Sequence, residues 1–261
     1  MIPLLLIILG LILGSFVNAF VWRIHKNKDW VNDRSECTHC HHKLGPLDLV
    51  PVLSWVMLGG KCRYCHKKID DSPLVELSLP VVFLLSYFYW PTELAGRGLV
   101  EFVFWLVLLV GLLALTVYDL RWFLLPDKIV FPLVGLTFVS VIVSAIMERD
   151  IQIVTMAVAC ALIISGIFYI LFQLSKGTWI GGGDVKLALV LGLLCTSLLE
   201  PFLLLFTASV AGLIGSLPAI IKGKAKAKTQ IPFGPFLIIG LIIVRLFGGS
   251  IISWYTGILY V

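Results

Sequence analysis

The chain has 261 residues, of which 59% are hydrophobic and only 13% are charged, and its mean hydropathy is +1.03. Soluble domains usually carry charge on about a quarter of their residues, so this composition excludes an ordinary water-soluble globular protein. The net charge of +5 is spread over several loops and forms no single soluble face, and no nucleic-acid partner is expected.

Eight apolar runs are long enough, or nearly so, to form membrane-spanning helices. A hydrocarbon core about 30 Å thick needs about 20 apolar residues per helical span. Runs such as 102–117 are continuously apolar, whereas the strands of a membrane β-barrel alternate. We therefore predict an all-α polytopic protein embedded in the lipid bilayer. The predicted spans are 3–22, 74–91, 99–118, 128–147, 153–173, 186–199, 201–221 and 231–247. The sixth is short, so seven or nine spans are alternatives.

The basic residues divide unequally between the two sides of these spans. Seventeen of the 20 Lys and Arg residues lie in four segments, at 23–73, 119–128, 174–186 and 222–230. With eight spans all four segments fall on one side, which the positive-inside rule makes the cytoplasm. Both termini are then predicted to face outward. The basic run at 222–228 is predicted to anchor on anionic lipid headgroups.

Four cysteines form two Cys-x-x-Cys pairs in the predicted loop between the first two spans. Cys37 and Cys40 are separated from Cys62 and Cys65 by 21 residues, which is the spacing of a four-cysteine zinc site. A reducing cytosol disfavours disulfides, and four thiolates leave no open coordination position, so a structural Zn²⁺ is predicted. Redox chemistry is the alternative, and a nearby histidine could replace one sulfur. The two remaining cysteines lie in apolar runs and are predicted to be buried hydrophobic residues.

Two aspartates lie at the cytoplasmic ends of predicted spans. Asp119 ends the third span, and Asp184 follows Gly181, Gly182 and Gly183 at the start of the sixth. Two facing carboxylates can share one proton, so that one activates water while the other polarises a peptide carbonyl. The glycines would let an extended peptide approach closely. Ordinary helix-terminal charges, or a transporter in which the aspartates relay a proton or cation, are the alternatives to this protease dyad.

The order of short motifs along nearly the whole chain resembles the bacterial type IV prepilin peptidases. Gly181-Gly182-Gly183-Asp184 is similar to the Gly-x-Gly-Asp signature that these enzymes share with presenilin-like proteases. Asp119 followed by Leu125-Pro126-Asp127 is similar to their first catalytic aspartate and the motif after it. Further blocks that resemble the family are Gly14–Asn18, Gly60–Cys65, Pro73–Leu77 and Ile231–Phe236. The chain departs from the pattern after Arg23, where Ile24-His25-Lys26 stands in place of a nearby Pro, and at Ser72 before Pro73. Both departures lie in the half that the family associates with methyl transfer.

The resemblance implies a bifunctional leader peptidase and N-methyltransferase of pilus, secretion and competence systems, in the bacterial inner membrane. The expected catalytic residues are Asp119 and Asp184, supported by Gly181, Gly183 and Asp127. The expected substrates are type IV prepilins and pilin-like pseudopilins, cut at the cytoplasmic membrane boundary, usually just after a glycine. The expected methyl donor is S-adenosylmethionine.

The predicted domains are an N-terminal part at 1–91 with the cysteine loop and methyl transfer, a peptidase domain at 99–247 and a tail at 248–261. No Gly-x-Gly nucleotide fold is present, so the methyl-donor site has no assigned residues. Glu76 is a candidate for it, with a structural role as the alternative. The sequence predicts no particular oligomeric state.

Helix dipoles predict a division of labour between the two aspartates. Asp184 at a helix N-terminus should ionise more easily than Asp119 at a helix C-terminus. Asp184 is therefore predicted to be the base that activates water, and Asp119 the acid. Asp127 follows Pro126 and is predicted first to cap the fourth span, with a possible assisting role.

Overall fold

Helices make up nearly all the regular structure of the computed structural model, which describes residues 1–30, 33–69, 71–221 and 231–259. Within these ranges the only extended pairing consists of two isolated antiparallel bridges, Glu36–Lys43 and Lys61–Lys68. The predicted all-α class is confirmed. The basic run at 222–228, predicted to contact headgroups, lies outside the described residues.

Eight of the nine α-helices of the described ranges correspond to the predicted apolar runs, and the short second one lies in the predicted cysteine loop. In chain order the helices are α1 (Ile2–His25), α2 (Leu53–Met57), α3 (Pro73–Phe88), α4 (Gly96–Trp122), α5 (Asp127–Glu148), α6 (Gln152–Ser175), α7 (Gly182–Leu193), α8 (Glu200–Ile221) and α9 (Gly234–Leu259). Six of them, α1, α4, α5, α6, α8 and α9, are long and apolar enough to cross a membrane. The other two predicted spans are α3, with 16 residues, and α7, with 12. At 1.5 Å per residue these helices reach only about 24 and 18 Å, so the predicted count of eight spans stays a prediction.

Two predicted boundaries differ from the structure. The sixth run forms a helix at Gly182–Leu193 rather than at 186–199. It begins earlier because the carboxylate of Asp184 accepts the N–H of Gly181 and closes the first turn. It ends earlier because Glu200 accepts both the N–H and the hydroxyl of Thr196, which closes a turn before α8. The last run continues as α9 to Leu259, so helix occupies most of the predicted tail.

The chain divides into two compact units, Met1–Phe88 and Tyr89–Val261. In the first unit, α1 packs closely against α3. A side-chain carbon at Gly10 would lie 2.6 Å from the backbone nitrogen of Pro80, and one at Gly14 would lie 2.8 Å from Cα of Glu76. Glycine at these two positions therefore brings the helix backbones into contact. This packing places Glu76 beside α1.

In the second unit, α7 is the buried central helix. Leu187, Ala188, Val190 and Leu191 are fully buried. A side-chain carbon at Gly192 would lie 2.4 Å from Cα of Ala161 in α6, so α6 and α7 touch along their backbones. The burial of α7 positions Asp184, in its first turn, inside the unit.

A network of ion pairs lies near the N-terminus of α4, 18 residues before Asp119. Glu101 accepts hydrogen bonds from Arg97 at 2.7 Å, Ser144 at 2.9 Å and Arg245 at 3.3 Å. Arg97 also pairs with Glu148 at 2.6 Å. The network joins α4, α5 and α9, about 27 Å along α4 from the aspartate.

Candidate active site and metal site

Asp119 is buried in the last turn of α4 and is held by the start of α9. Its residue exposure is only 6%, and its Oδ2 accepts the backbone N–H of Gly234 at 3.1 Å. A side-chain carbon at Gly234 would lie 2.8 Å from that oxygen, which is too close for any other residue without a shift. Glycine thus lets the N-terminus of α9 reach the carboxylate.

Asp184 lies in the first turn of α7, with its Oδ2 3.2 Å from the N–H of Gly181. It sits three residues after Gly181, the N-cap, so its carboxylate also meets the positive end of the helix dipole. The three glycines therefore form the helix start itself, rather than a segment before the helix.

Leu125 packs against a neighbour of each of the two aspartates. Its side chain packs against Gly183, where an added carbon would lie 2.9 Å from Cβ of Leu125, and against Gly234, where an added carbon would lie 3.6 Å from Cδ2. Gly183 directly precedes Asp184, and Gly234 donates its N–H to Asp119. The structure thus brings the two predicted site aspartates into one site, with Leu125 at its wall.

Asp127 is the first residue of α5, and Pro126 is its N-cap. The predicted capping role is wrong because no side-chain cap bond forms there; the carboxylate instead pairs with Lys186 of α7 at 2.6 Å. This exposed pair ties the start of α5 to the first turns of α7. The pair therefore links two helices that border the site.

The first unit contains a cluster of the four predicted metal ligands. The Sγ atoms of Cys37, Cys40, Cys62 and Cys65 all lie within 4.8 Å of one another, and those of Cys37 and Cys65 are 3.9 Å apart. A tetrahedral site with Zn–S bonds of about 2.3 Å has sulfurs about 3.8 Å apart. The cluster can therefore hold a metal ion, and the group found among the described residues contains no histidine.

The two cysteine pairs form matching backbone turns. The N–H of Cys37 donates to the carbonyl of His42, and the N–H of Cys62 donates to that of Lys67. His41 and His66 each follow in the left-handed region, with φ of 57° and 56°. Burial raises the pKa of Cys37, but hydrogen bonds from the backbone of Cys40 and His39 and from the thiols of Cys40 and Cys62 together lower it. A hydrogen bond from the backbone of His42 lowers the pKa of Cys40, but burial and the neighbouring thiols together raise it, so Cys37 is the first of this pair to supply the thiolate that binds metals.

The remaining cysteines, Cys160 and Cys195, are buried, as predicted. Their thiols lie near the backbone carbonyls of Ser197 and Leu191.

Two residues of the aspartate site had no assigned role in the sequence. Gly234 and Leu125 both stand in motifs quoted above, Ile231–Phe236 and Leu125-Pro126-Asp127. Those motifs indicated that the two segments belong to the pattern of the family. They could not indicate which residues contact the two aspartates or their neighbours, because 115 residues separate Asp119 from Gly234.

Comparisons with known proteins cover most of the chain. Residues 8–90 match the bacterial Peptidase A24 N-terminal domain, and residues 106–217 match the type IV leader peptidase family. The chain is similar to proteins named prepilin leader peptidase/N-methyltransferase. The relative from Aeromonas hydrophila is 31% identical over 96% of this chain and 92% of its own length. That from Pseudomonas aeruginosa is 30% identical over 95% and 91%, and that from Bacillus subtilis is 27% identical over 96% of both.

No solved structure gives a significant match. The similarity extends over most of the chain, and the two domains match in the expected order. The chain belongs to the type IV leader peptidase family.

Proposed function

We propose that the chain is a membrane aspartyl endopeptidase that removes the leader peptide of type IV prepilins and pseudopilins and then N-methylates the new N-terminus. The observation that supports the peptidase half is the packing of Leu125 against Gly183, next to Asp184, and against Gly234, which donates to Asp119, in a chain of this family. The family match gives no support to the transporter alternative.

The two aspartates would share one proton, since like charges in contact do not both ionise easily. One carboxylate would take a proton from water, and the protonated partner would donate to the scissile carbonyl. The sequence assigned these roles by helix dipoles, with Asp184 as the base. The N–H of Gly234 at the start of α9 adds a favourable donor for an ionised Asp119. This donor makes the two aspartates more alike in how easily they ionise. The assignment of Asp184 as the base remains part of the proposal.

The proposed orientation places both aspartates and the cysteine loop on the cytoplasmic side. The distribution of Lys and Arg supports it, because 17 of 20 fall in four segments on that side. A prepilin whose basic leader stays in the cytosol would then present its scissile bond at this face. The Glu101 network would lie toward the opposite face.

We further propose that the metal of the cysteine cluster is a structural Zn²⁺. Four sulfurs complete a tetrahedron and leave no position for water or substrate. The residues Cys37, Cys40, Cys62 and Cys65 would hold the two turns together. The ion would stabilise the fold of the loop rather than react.

Incubation of the purified full chain with a prepilin and S-adenosylmethionine, read by mass spectrometry, tests both activities at once. The expected result is loss of the leader mass and gain of a methyl mass on the new N-terminus. An uncut prepilin would overturn the peptidase proposal. A cut but unmethylated product would overturn the methylation half alone.

A further inference from the structure

We propose that the methyl donor, S-adenosylmethionine, binds in a cavity of the first unit, with Glu76 facing its sulfonium cation. The inference rests on the proposed N-methylation and gives that activity a site. The cavity has a volume of about 180 Å³ and is bordered by α1, the cysteine loop and the start of α3. The residues that carry the argument are Trp22, Trp55 and Glu76.

Glu76 is one of four acidic residues that border this cavity, with Glu36, Asp48 and Asp71. Its Oε2 accepts the backbone N–H of Val52 at 2.6 Å, which is a neutral donor. Within the described part of the chain no Lys or Arg forms an ion pair with Glu76. Glu36 and Asp48, which also border the cavity, pair with Lys28 and Arg63. A bound cation would therefore meet at Glu76 a carboxylate that no described Lys or Arg neutralises by an ion pair.

The carboxylate of Glu76 is held in a fixed position. Its hydrogen-bond partner Val52 adopts a φ of 61° and ψ of −48°, a conformation that is strained for a β-branched residue. The backbone of Glu76 lies against Gly14 of α1. A strained turn that presents its N–H to one carboxylate oxygen is the kind of feature found at ligand sites, and it leaves Oε1 for a ligand.

Two indoles border the same cavity. Trp22 comes from α1 and has the ammonium of Lys28 4.8 Å from its ring centre, whereas Trp55 comes from α2 and suits an adenine ring. The indole of Trp55 is set by Gly60, where an added carbon would lie 2.9 Å from Cζ2. Aromatic rings stack on nucleobases and also attract cations on their faces. An adenosyl group and a sulfonium therefore match Trp55 and Glu76 in one place.

A second cavity, of about 290 Å³, adjoins the first and shares Trp22, Arg23, Arg34 and Glu36 with it. It also carries Lys28, which pairs with Glu36, together with Lys43 and Asp33. Lys43 and the two shared arginines suit the carboxylate of the donor's amino acid part. The two cavities together thus offer an acidic point for the sulfonium and a basic wall for the carboxylate.

S-adenosylmethionine supplies a methyl group on a sulfonium; when the S–CH₃ bond breaks, sulfur keeps the electron pair, the amine nitrogen forms the new N–C bond and its proton goes to solvent. Glu76 would bind the cation and would not bind the neutral thioether that remains. The site would therefore bind S-adenosylhomocysteine more weakly than it binds S-adenosylmethionine. This difference is measurable without any turnover.

The test is calorimetric titration of the purified full chain with S-adenosylmethionine and, separately, S-adenosylhomocysteine. Wild-type protein should bind the donor roughly tenfold more tightly than the thioether. Glu76→Gln, which keeps the size and the acceptor for Val52, should lose that preference. Glu148→Gln is the control, because Glu148 lies in α5, outside the lining of both cavities, and it should keep the preference. Trp55→Leu should weaken both ligands alike, since both carry adenine.

The outcomes separate this site from the proposed function. If Glu76→Gln keeps the wild-type preference, or Trp55→Leu leaves both affinities unchanged, the site is elsewhere although methylation stands. If the wild-type chain binds neither ligand and leaves a cleaved prepilin unmethylated, the proposed methylation fails and this site with it. Metal content measured on each variant shows whether the cysteine loop remains folded.

Discussion

Gly234 donates its backbone N–H to Oδ2 of Asp119 over 3.1 Å, so the first residue of α9 holds the carboxylate at the end of α4. Since a Cβ at Gly234 would lie 2.8 Å from the same oxygen, the bond and the glycine depend on each other. Displacement of a catalytic group by about 1 Å can cost a hundredfold in rate.

Gly234→Ala should therefore lower kcat/KM for prepilin cleavage by about a hundredfold. Gly249→Ala is the control on the same helix, because an added carbon there meets nothing within 4 Å. The measurement is the rate of leader loss by mass spectrometry, with helical content followed by circular dichroism. Equal activity of the two variants would mean that the Gly234 contact does not position Asp119.

Asp119→Asn and Asp184→Asn should each reduce cleavage at least about a thousandfold, because both carboxylates are needed in turn. Asp127→Asn should cost far less, since its exposed pair with Lys186 only aligns helices. Cleavage of one prepilin by the three variants is compared under the same conditions. Appreciable activity in either Asp119→Asn or Asp184→Asn would refute the dyad.

Gly183→Ala and Gly182→Ala make the same change at adjacent positions of the first turn of α7. An added carbon at Gly183 would lie 2.9 Å from Cβ of Leu125, whereas one at Gly182 would lie 3.7 Å from its nearest neighbour, Phe172. Gly183→Ala should therefore displace Asp184 or Leu125 and lower kcat/KM about a hundredfold. Gly182→Ala should stay near the wild-type value. A reversed order would show that Leu125 does not border the working site.

Cys37→Ser and Cys62→Ser should each remove the bound zinc and lower thermal stability of the first unit, because each removes one of four clustered sulfurs. Cys160→Ser is the control, since this buried cysteine lies outside the cluster. Metal content is measured by elemental analysis, with about one zinc per wild-type chain expected. Unchanged zinc and melting temperature in both cluster variants would rule out the metal site.

Arg245→Met should destabilise the second unit by roughly 2–3 kcal/mol, because it leaves the mostly buried Glu101 with fewer partners. The double variant Glu101→Gln with Arg245→Met should lose less than the sum of the two single changes. Thermal unfolding in detergent provides the comparison. Additive losses would indicate that the ion pair contributes little in this environment.

Much of the fold follows from short-range features of the sequence. Each of the eight predicted apolar runs overlaps with a helix within the described residues, because hydrophobicity and the need to satisfy backbone hydrogen bonds act along the chain. The ends agree less well, since α7 ends six residues before its predicted end and α9 twelve residues after it. The two Cys-x-x-Cys pairs likewise predicted the ligand cluster, since each pair is a local turn. Helix ends were less predictable. The start of α7 depends on a side-chain bond from Asp184 to Gly181.

The sequence by itself determined the class of the protein, its helices, its two aspartates and its four cysteines. Only the tertiary structure decided that Gly234 binds Asp119 and that Leu125 lies beside Gly183. It also decided that Glu76 faces the turn at Val52. The physical reason is separation along the chain. Patterns of hydrophobicity and spacing report neighbours a few residues apart, whereas these contacts join residues 24 to 115 positions apart, through the close packing of helices that glycine permits.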